Sequence, residues 1–275
     1  MIKFIITLRK NTNKYLGGLW MFLGKNARKV LSKRIFIKYT SKKIGPHGPF
    51  KLTPQFLFSN LEEWGSGHNN GFQKYIELSK NKECILDVGA HVGLTILPVS
   101  LVSGVNTKIY GFEPSSENYK ALQINLDLNG CTKVVIENCL VGAEENTDIL
   151  FYETGDISAT SSIVNNESRQ FDETHKKQVS IDSYCEKNNL RPDLIKIDVE
   201  GAEINVLRGA RRVMAEFKPM VFLSVHPNQI IALGGSDEAL LKEIHRSGYE
   251  LINIDGSAVD KFECIEYQLI AKEEH

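Results

Sequence analysis

Short apolar runs alternate with amphipathic stretches over most of this 275-residue chain. The runs predict buried strands, at residues 84–88, 107–113, 133–137, 193–198 and 219–225. The amphipathic stretches repeat apolar residues at helical spacing and predict helices, at about residues 71–79, 93–103, 116–129, 181–189, 202–215 and 236–247. Two final strand candidates, 249–254 and 265–271, predict an antiparallel pair. The alternation as a whole predicts an α/β fold, in which a mainly parallel sheet carries helices on both faces.

Charge divides the chain into two parts. Residues 1–61 contain 13 Lys and Arg and no Asp or Glu, whereas the remainder contains 20 bases and 34 acids. We therefore expect a basic, helical N-terminal extension at residues 1–60 and a separate, acidic domain at residues 61–275. Apolar residues interspersed with the bases suit peripheral contact with an anionic membrane. A helical cap on the acidic domain and a nucleic-acid contact are the alternatives.

Composition places the protein among soluble globular proteins of the cytoplasm. Apolar residues make up 42% and charged residues 24% of the chain, both ordinary values for such proteins. No apolar stretch approaches the roughly 20 residues that span a bilayer. The five cysteines form no CxxC motif and predict free thiols in a reducing compartment. We therefore expect a cytoplasmic protein, with the membrane reached only from its surface.

Two acids follow consecutive predicted strands. The run CILDVGAHVG at residues 84–93 ends its apolar part at Asp87 and continues into a glycine turn, and the run IYGFEP at residues 109–114 ends at Glu113. This is the layout of a nucleoside-binding βαβ unit, in which the second acid accepts hydrogen bonds from ribose hydroxyls. The glycines, Gly89 and Gly93, do not form GxGxxG. A nucleoside without phosphates, such as S-adenosylmethionine, therefore fits better than a dinucleotide.

Further polar residues follow the next two strands. In the run LIKIDVEGAEINVLRGA, residues 194–210, Asp198 ends a strand and Glu200 lies in the turn before a helix; the run MVFLSVHP places His226 after the fifth strand. Any one of these residues can be a helix cap or a solvated loop charge. Together with the two earlier acids they converge on the carboxyl edge of one sheet, which predicts a functional site.

The chain resembles the FkbM family of S-adenosylmethionine-dependent methyltransferases. The matching runs lie within about residues 80–230: LDVGAHVG at 86–93, FEP at 112–114, the region of Asn125, IENCLVG at 136–142 and IKIDVEGAEINVLRGA at 195–210. The resemblance implies a Rossmann-like class I methyltransferase fold, with seven strands in the order 3-2-1-4-5-7-6 and the last strand antiparallel. It also implies O-methylation of a hydroxyl on a sugar, glycan or secondary metabolite. One departure is Ser224, where the family often has an acid.

The resemblance also implies which residues bind S-adenosylmethionine. Asp87 and the glycine turn would hold the methionine end, Glu113 the ribose diol, and the segment after the third strand the adenine. The complete set is Asp87, Gly89, Ala90, Gly93, Glu113, Pro114, Asn138 and Leu140.

The catalytic candidates are His226, Asp198 and Glu200. Methyl transfer is an in-line displacement, which a base assists by taking the proton of the acceptor hydroxyl. We predict His226 as that base because its ordinary pKa lies near working pH. Asp198 would orient His226, bind the methionine amine or hold a divalent ion. No metal site is predicted, since one Asp and one Glu in sequence are weak evidence for one.

An insertion at residues 146–190 is the candidate substrate lid. It contains a strand-like stretch at 148–152, a Ser/Thr cluster with the substrate candidates Ser161 and Ser162, and a charged part at 166–177 for which a solvated loop is the alternative. The expected partner is a small-molecule or glycan acceptor.

A protein of another class is the alternative: a membrane-surface or nucleic-acid-associated protein that retains a degenerate cofactor fold. Within that class nucleic acid is the less favoured partner. Amino-methyltransferases of nucleic acids carry an Asn/Asp-Pro-Pro-aromatic run where this chain has Asp198-Val199-Glu200-Gly201.

Overall fold

The computed structural model describes residues 38–65, 71–153 and 172–272, and the chain divides into two compact units, residues 1–63 and 64–275. In the first unit, strand β1 (Thr40–Ile44) pairs antiparallel with strand β2 (His47–Leu52), and a 3₁₀ turn follows at Pro54–Phe56. The predicted helix is wrong for this part, because Gly45 turns the chain at a φ of 54° and prolines interrupt it. Residues 1–37, which carry most of the predicted membrane contact, lie outside the described residues.

The second unit is built on a seven-stranded sheet. Its strands, in spatial order, are β11 (Tyr249–Asn253), β12 (Glu266–Ala271), β10 (Met220–Ser224), β9 (Leu194–Ile197), β3 (Cys84–Val88), β4 (Lys108–Phe112) and β5 (Val134–Glu137). Counted along the chain, this is the predicted order 3-2-1-4-5-7-6. β12 pairs antiparallel with both of its neighbours, and the other pairs are parallel. The predicted fold class is confirmed.

A second sheet is built from two strands of the insertion and one short strand that precedes it. It contains β6 (Leu140–Val141), β8 (Asp172–Val179) and β7 (Asn146–Glu153) in that spatial order, with β7 and β8 antiparallel. β7 matches the predicted strand, whereas residues 172–177 of the charged part belong to a strand and not to a loop. The substrate candidates Ser161 and Ser162 lie outside the described residues.

Eight α-helices occur in the described part of the chain. They are α1 (Gly71–Leu78), α2 (Ile96–Val102), α3 (Ser116–Leu128), α4 (Ile181–Asn188), α5 (Glu203–Arg208), α6 (Arg211–Phe217), α7 (Pro227–Ala232) and α8 (Asp237–Arg246). The single helix predicted at 202–215 is two helices. The first helix ends at Gly209. A Cβ at this position would overlap the carbonyl oxygen of Gly142, so only glycine lets the two backbone segments lie this close together. Within the same described part, each helix is too short or too polar to cross a bilayer.

The central strands place two charged residues in the core. β3 and β9 are buried along their whole length and consist of apolar residues except at Asp87 and Lys196, which are register partners across the pair. The chain order reverses between β3 and β9. The carboxyl ends of the strands at such a switch point open a crevice, which is where ligands bind in sheets of this kind.

Candidate active site

A cavity of about 430 Å³ lies at the carboxyl ends of β3, β4, β9 and β10. Its volume is in the range of small-molecule sites. Eight residues predicted for the site line it: Gly89, Ala90, Glu113, Pro114, Leu140, Asp198, Glu200 and His226. Asp87, Gly93 and Asn138, which were also predicted, do not line it. The structure therefore brings most of the predicted cofactor and catalytic residues to one cavity, and gives the other three supporting positions.

The glycine turn after β3 is shaped by contacts with its neighbouring strands. Gly89 has a φ of 84°, and a Cβ there would overlap the carbonyl oxygen of Asp198. The backbone N–H groups of Gly89 and Ala90 donate to the carbonyl oxygen of Phe112 at the end of β4, at 3.0 and 2.9 Å. At Gly93 a Cβ would meet the side chain of Leu122 in α3. Glycine at these positions lets the turn pack closely between β4, β9 and α3.

Glu113 is held by three hydrogen-bond donors. Its Oε2 accepts from the backbone N–H of His91 at 2.8 Å, and its Oε1 accepts from the backbone N–H of Ser115 at 2.9 Å and from Asn118 Nδ2 at 3.2 Å. Burial raises the pKa of Glu113 to about 7, although these hydrogen bonds oppose the rise. A fixed carboxylate that lines the cavity and retains unused lone pairs is suited to accept hydrogen bonds from a ribose diol.

Asn138 supports this acid from outside the cavity. Its side-chain Nδ2 donates to the carbonyl oxygens of Glu113 and Pro114, at 2.8 and 3.0 Å. Asn138 was predicted to meet adenine; in the structure its amide fixes the turn after β4. The residues that follow it, Cys139 and Leu140, line the cavity in its place.

Sequence reasoning missed Lys196, which is central to the site. Its side chain is 1% exposed, and its Nζ lies 3.0 Å from Asp87 Oδ1, 2.9 Å from the carbonyl oxygen of Gly89 and 3.5 Å from Asp198 Oδ2. Burial disfavours the charged ammonium, but the two carboxylates raise the pKa of Lys196 above its ordinary value, so that it remains charged. Thr95 Oγ1 donates to the other oxygen of Asp87 at 2.9 Å. Asp87 therefore influences the cavity indirectly: it holds Lys196, and Lys196 in turn holds the carbonyl oxygen of Gly89 in the glycine turn.

The ends of β9 and β10 bring the three catalytic candidates together. His226 Nε2 lies 3.7 Å from Asp198 Oδ1 and 3.6 Å from Glu200 Oε1, while His226 Nδ1 is 2.7 Å from Glu203 Oε1. Burial opposes the charged imidazolium, but the hydrogen bond to Glu203 and the charges of Glu200 and Asp198 outweigh it and raise the pKa of His226 to about 9. The predicted convergence is present, and Glu203 joins it as the orienting acid, a role that the sequence analysis did not assign.

The turn that carries Glu200 has an unusual backbone. Glu200 has a φ of 52° and Gly201 a φ of 109°. A Cβ on Gly201 would crowd the backbone of Gln229 in α7, which begins directly after His226. Non-glycine residues with left-handed backbones concentrate at functional sites, where surrounding contacts maintain them. Here that conformation brings Glu200 to His226.

Other cavity-lining residues come from segments without a recognisable motif. Trp64 and Phe72 stack with ring centroids 5.3 Å apart, and Cys264 and Glu266 precede or begin β12. His91, which lies within the glycine turn, lines the cavity as well. Trp64, Phe72, Cys264 and Glu266 had no sequence signal, in contrast to Lys196, which is a charged residue within an otherwise apolar strand.

The fold and the site together define a Rossmann-like class I methyltransferase architecture. The sequence profile of the methyltransferase FkbM domain matches residues 87–251, which is more than half of the chain. The chain therefore belongs to the FkbM methyltransferase family, as its motifs predicted.

Two curated relatives and one solved structure illustrate the relationship. The chain is 31% identical over 143 residues to Methyltransferase 1 of Beauveria bassiana, a match that covers 46% of this chain and 57% of the relative. It is 22% identical over 187 residues to the hexuronic acid methyltransferase AglP of Haloferax volcanii, covering 62% and 70%. The crystal structure of a methyltransferase FkbM from Methylobacillus flagellatus is 20% identical, with a TM-score of 0.43 and coverage of 70% and 44%. The chain thus spans little more than half of the fungal relative.

Proposed function

We propose that this protein is an S-adenosylmethionine-dependent O-methyltransferase acting on a hydroxyl of a sugar, glycan or secondary metabolite. The observation that carries the proposal is the composition of one cavity. Glu113, an acid in the position of a ribose-binding residue, and the group Asp198, Glu200 and His226 line the same space. A cofactor and an acceptor bound there would share one reaction site, which methyl transfer requires.

The residues present fit the cofactor. Glu113 offers the ribose diol a carboxylate that backbone and side-chain donors already hold in place. Lys196 lines the cavity with its charge beside the glycine turn, where the methionine carboxylate would lie. Leu140 and Phe112 supply apolar surface near Glu113 for the adenine. S-adenosylmethionine would supply an electrophilic methyl carbon on its sulfonium, whose transfer leaves S-adenosylhomocysteine.

The acceptor hydroxyl would lie at the group Asp198, Glu200 and His226. Its oxygen forms the new bond to the methyl carbon as the bond from that carbon to sulfur breaks, and its proton must be taken up. In the simplest form of the reaction, neutral His226 accepts that proton at Nε2 while Glu203 holds Nδ1; a pKa of about 9 makes this neutral form the minor one at pH 7. The two neighbouring carboxylates would orient the hydroxyl and stabilise the proton after transfer.

A sugar is supported by the aromatic lining and by one relative. Trp64 and Phe72 form a stacked aromatic pair at the cavity, and the faces of sugar rings pack well on aromatic side chains. AglP of Haloferax volcanii is by name a methyltransferase of a hexuronic acid, which is a sugar derivative. For this protein we propose only that the acceptor is a sugar or sugar derivative, and not that it is a hexuronic acid.

The decisive test has two parts. Calorimetric titration should show one S-adenosylmethionine bound per chain, and a folded protein that binds none at millimolar cofactor would refute the proposal. Transfer from methyl-labelled cofactor to a panel of free sugars, glycans and glycosylated metabolites then identifies the acceptor.

A pair of histidine variants tests the placement of the acceptor hydroxyl. His226→Ala should lower turnover and leave cofactor affinity nearly unchanged. His245→Ala, which alters an exposed histidine in the last turn of α8, should change neither. Full activity of His226→Ala would exclude His226 from the reaction.

A further inference from the structure

Three side chains at the ends of β9 and β10 present metal-ligand atoms to a common point. One oxygen each of Asp198 and Glu200 and one ring nitrogen of His226 all lie within 4.8 Å of one another. Ligands at right angles around an ion such as Mn²⁺ or Mg²⁺ are roughly 3 Å apart, given bonds of about 2.1 Å. The observed separations of 3.6 and 3.7 Å between the imidazole nitrogen and the two carboxylates are close to that geometry. Two carboxylates with an imidazole are also a common ligand set for divalent ions.

The imidazole is held in the tautomer that a metal ligand needs. Glu203 is fully buried, and its Oε1 lies 2.7 Å from His226 Nδ1 and accepts from the backbone N–H of Gly201 at 3.1 Å. An ionised carboxylate only accepts hydrogen bonds, so Nδ1 carries the proton. Once Nε2 gives up its proton to a competing cation, its lone pair faces two carboxylate oxygens at 3.6 and 3.7 Å, beyond hydrogen-bond distance. A histidine that donates one ring N–H to a carboxylate and binds a cation through the other nitrogen is the usual arrangement in metal sites.

The other two ligand residues are also oriented by a second group. Asp198 Oδ2 faces Lys196 Nζ at 3.5 Å, which leaves Oδ1 for His226. Glu200 Oε2 accepts from Gln229 Nε2 at 3.2 Å, which leaves Oε1 for His226. In both residues one carboxylate oxygen therefore contacts a neighbouring side chain, Lys196 or Gln229. The other oxygen faces His226 and is available as a metal ligand. Such supporting contacts are what fix ligand orientation in metal sites.

Two buried polar atoms near Asp198, Glu200 and His226 also support a ligand at this position. Ser224 is 4% exposed and lines the cavity, and its Oγ forms no hydrogen bond. Glu203 Oε2, on the fully buried acid that holds His226, is likewise unsatisfied. Unsatisfied buried polar atoms are rare in native structures and call for a ligand, an ion or a water molecule. Glu113 and Glu266 also line the cavity, so among the described residues four carboxylates and one lysine, Lys196, face the same space.

We propose that Asp198, Glu200 and His226 bind a divalent cation, Mn²⁺ or Mg²⁺, at the carboxyl edge of the sheet. Three protein ligands leave coordination positions open toward the cavity. On the basis of the proposed O-methylation, the acceptor hydroxyl would occupy one of them, and the cation would lower the pKa of that hydroxyl. His226 would then be a ligand and not the base. The acceptor hydroxyl would release its proton to a solvent water molecule as its oxygen bonds to the methyl carbon and the bond from that carbon to sulfur breaks.

The test is a titration of the full-length protein with MnCl₂ alone. Binding is measured by calorimetry and by the loss of the electron paramagnetic resonance signal of free Mn²⁺. The wild type should bind one ion per chain. Glu200→Gln and Asp198→Asn, which keep side-chain size, should each weaken binding by about 10- to 100-fold. Glu266→Gln is the matched control, because it removes a carboxylate from the same cavity outside the three ligands. It should weaken binding by less than about threefold, because Glu266 supplies no ligand atom.

Several outcomes would overturn the proposal. They are the absence of saturable Mn²⁺ binding, wild-type affinity in Glu200→Gln and Asp198→Asn, or an equal loss in Glu266→Gln. Circular dichroism melting of every variant identifies any that fails to fold. If one of Glu200→Gln and Asp198→Asn does not fold, the other serves as the test. Cofactor titrations separate the two proposals. Protein that binds S-adenosylmethionine but not Mn²⁺ refutes only the cation site, whereas protein that binds Mn²⁺ but not the cofactor refutes only the proposed methyltransferase activity.

Discussion

Lys196 Nζ lies 3.0 Å from Asp87 Oδ1 inside the sheet, and both side chains are at most 1% exposed. The two residues are register partners on β9 and β3, so the pair joins the two strands between which the chain order reverses. Asp87 belongs to the glycine-turn motif and Lys196 to the IKIDVEG motif. The contact joins the two motifs in the core, where each residue supplies the opposite charge beside which the other is buried.

Removing the lysine should destabilise the fold strongly. Lys196→Met leaves Asp87 buried with no cation beside it, and breaking a buried ion pair from one side costs about 3–5 kcal/mol. Urea unfolding followed by circular dichroism measures the loss. The double variant Asp87→Asn with Lys196→Met should recover much of it, because no buried charge is then left without a partner. A loss below about 1 kcal/mol in the single variant would show that the pair contributes little.

Alanine in place of Gly89 should be among the most damaging small substitutions. The residue has a φ of 84°, and the added Cβ would overlap the carbonyl oxygen of Asp198. Strain and overlap together predict a loss of about 3 kcal/mol or more in the free energy of unfolding. Gly130→Ala is the matched control, since Gly130 has a φ of 64° with nothing within 4 Å of the added Cβ. It should lose only about 1–2 kcal/mol, from the left-handed backbone alone. Equal losses would contradict the packing role of Gly89.

Sequence patterns predicted most of the sheet because its strands are short apolar runs followed by acids. β3, β4, β5, β9 and β10 all lie within the predicted ranges. The strand β8 was missed because its sequence, DETHKKQV, is polar on both faces, and it is held by pairing with β7 and not by its own apolar pattern. Pairing of this kind depends on the partner strand and leaves little local signal.

Within the site, residues at strand ends were predictable and residues brought in from elsewhere were not. Glu113, Asp198 and His226 follow apolar runs, so the parallel topology alone places them on one edge. Glu266 reaches the cavity because β12 pairs antiparallel with β10, which sets Glu266 opposite Ser224. That register cannot be derived from a motif. At Asp87 the motif predicts a cofactor contact, and the structure adds a contact that the motif did not show: the buried side chain pairs with Lys196.

Neutralising Glu113 should weaken cofactor binding. Glu113→Gln keeps the shape of the side chain but removes the charge from the acceptor of the ribose hydrogen bonds. Hydrogen bonds to a charged group contribute about 1.5–3 kcal/mol, so the Kd for S-adenosylmethionine should rise about 10- to 100-fold in calorimetry. Glu117→Gln is the control, because Glu117 is exposed on the next helix and pairs only with Lys120 among its charged neighbours in the described structure. An unchanged Kd in Glu113→Gln would remove Glu113 from the cofactor site.

The affinity for the cofactor should also increase with pH across neutrality. Burial raises the pKa of Glu113 to about 7, against the hydrogen bonds from Ser115, Asn118 and His91 and the charge of Lys196. Below that pH the carboxyl group is protonated in the free protein and has lost acceptor capacity for the ribose hydroxyls. Binding must then release a proton, so the Kd should be up to about tenfold larger at pH 6 than at pH 8.

The same shift fixes the sign of the effect on stability. Between the ordinary pKa of the unfolded chain and about 7, the folded protein binds more protons at Glu113 than the unfolded chain does. The contribution of Glu113 to the stability of the cofactor-free protein is therefore full at low pH and is lost as the pH rises through about 7, while cofactor affinity moves in the opposite direction.

Calorimetry at pH 6 and pH 8, in two buffers of different ionisation enthalpy, counts the protons released on cofactor binding. Glu113→Gln should abolish both the proton release and the pH dependence, and a wild type with equal Kd at the two pH values would show that Glu113 does not titrate in this range.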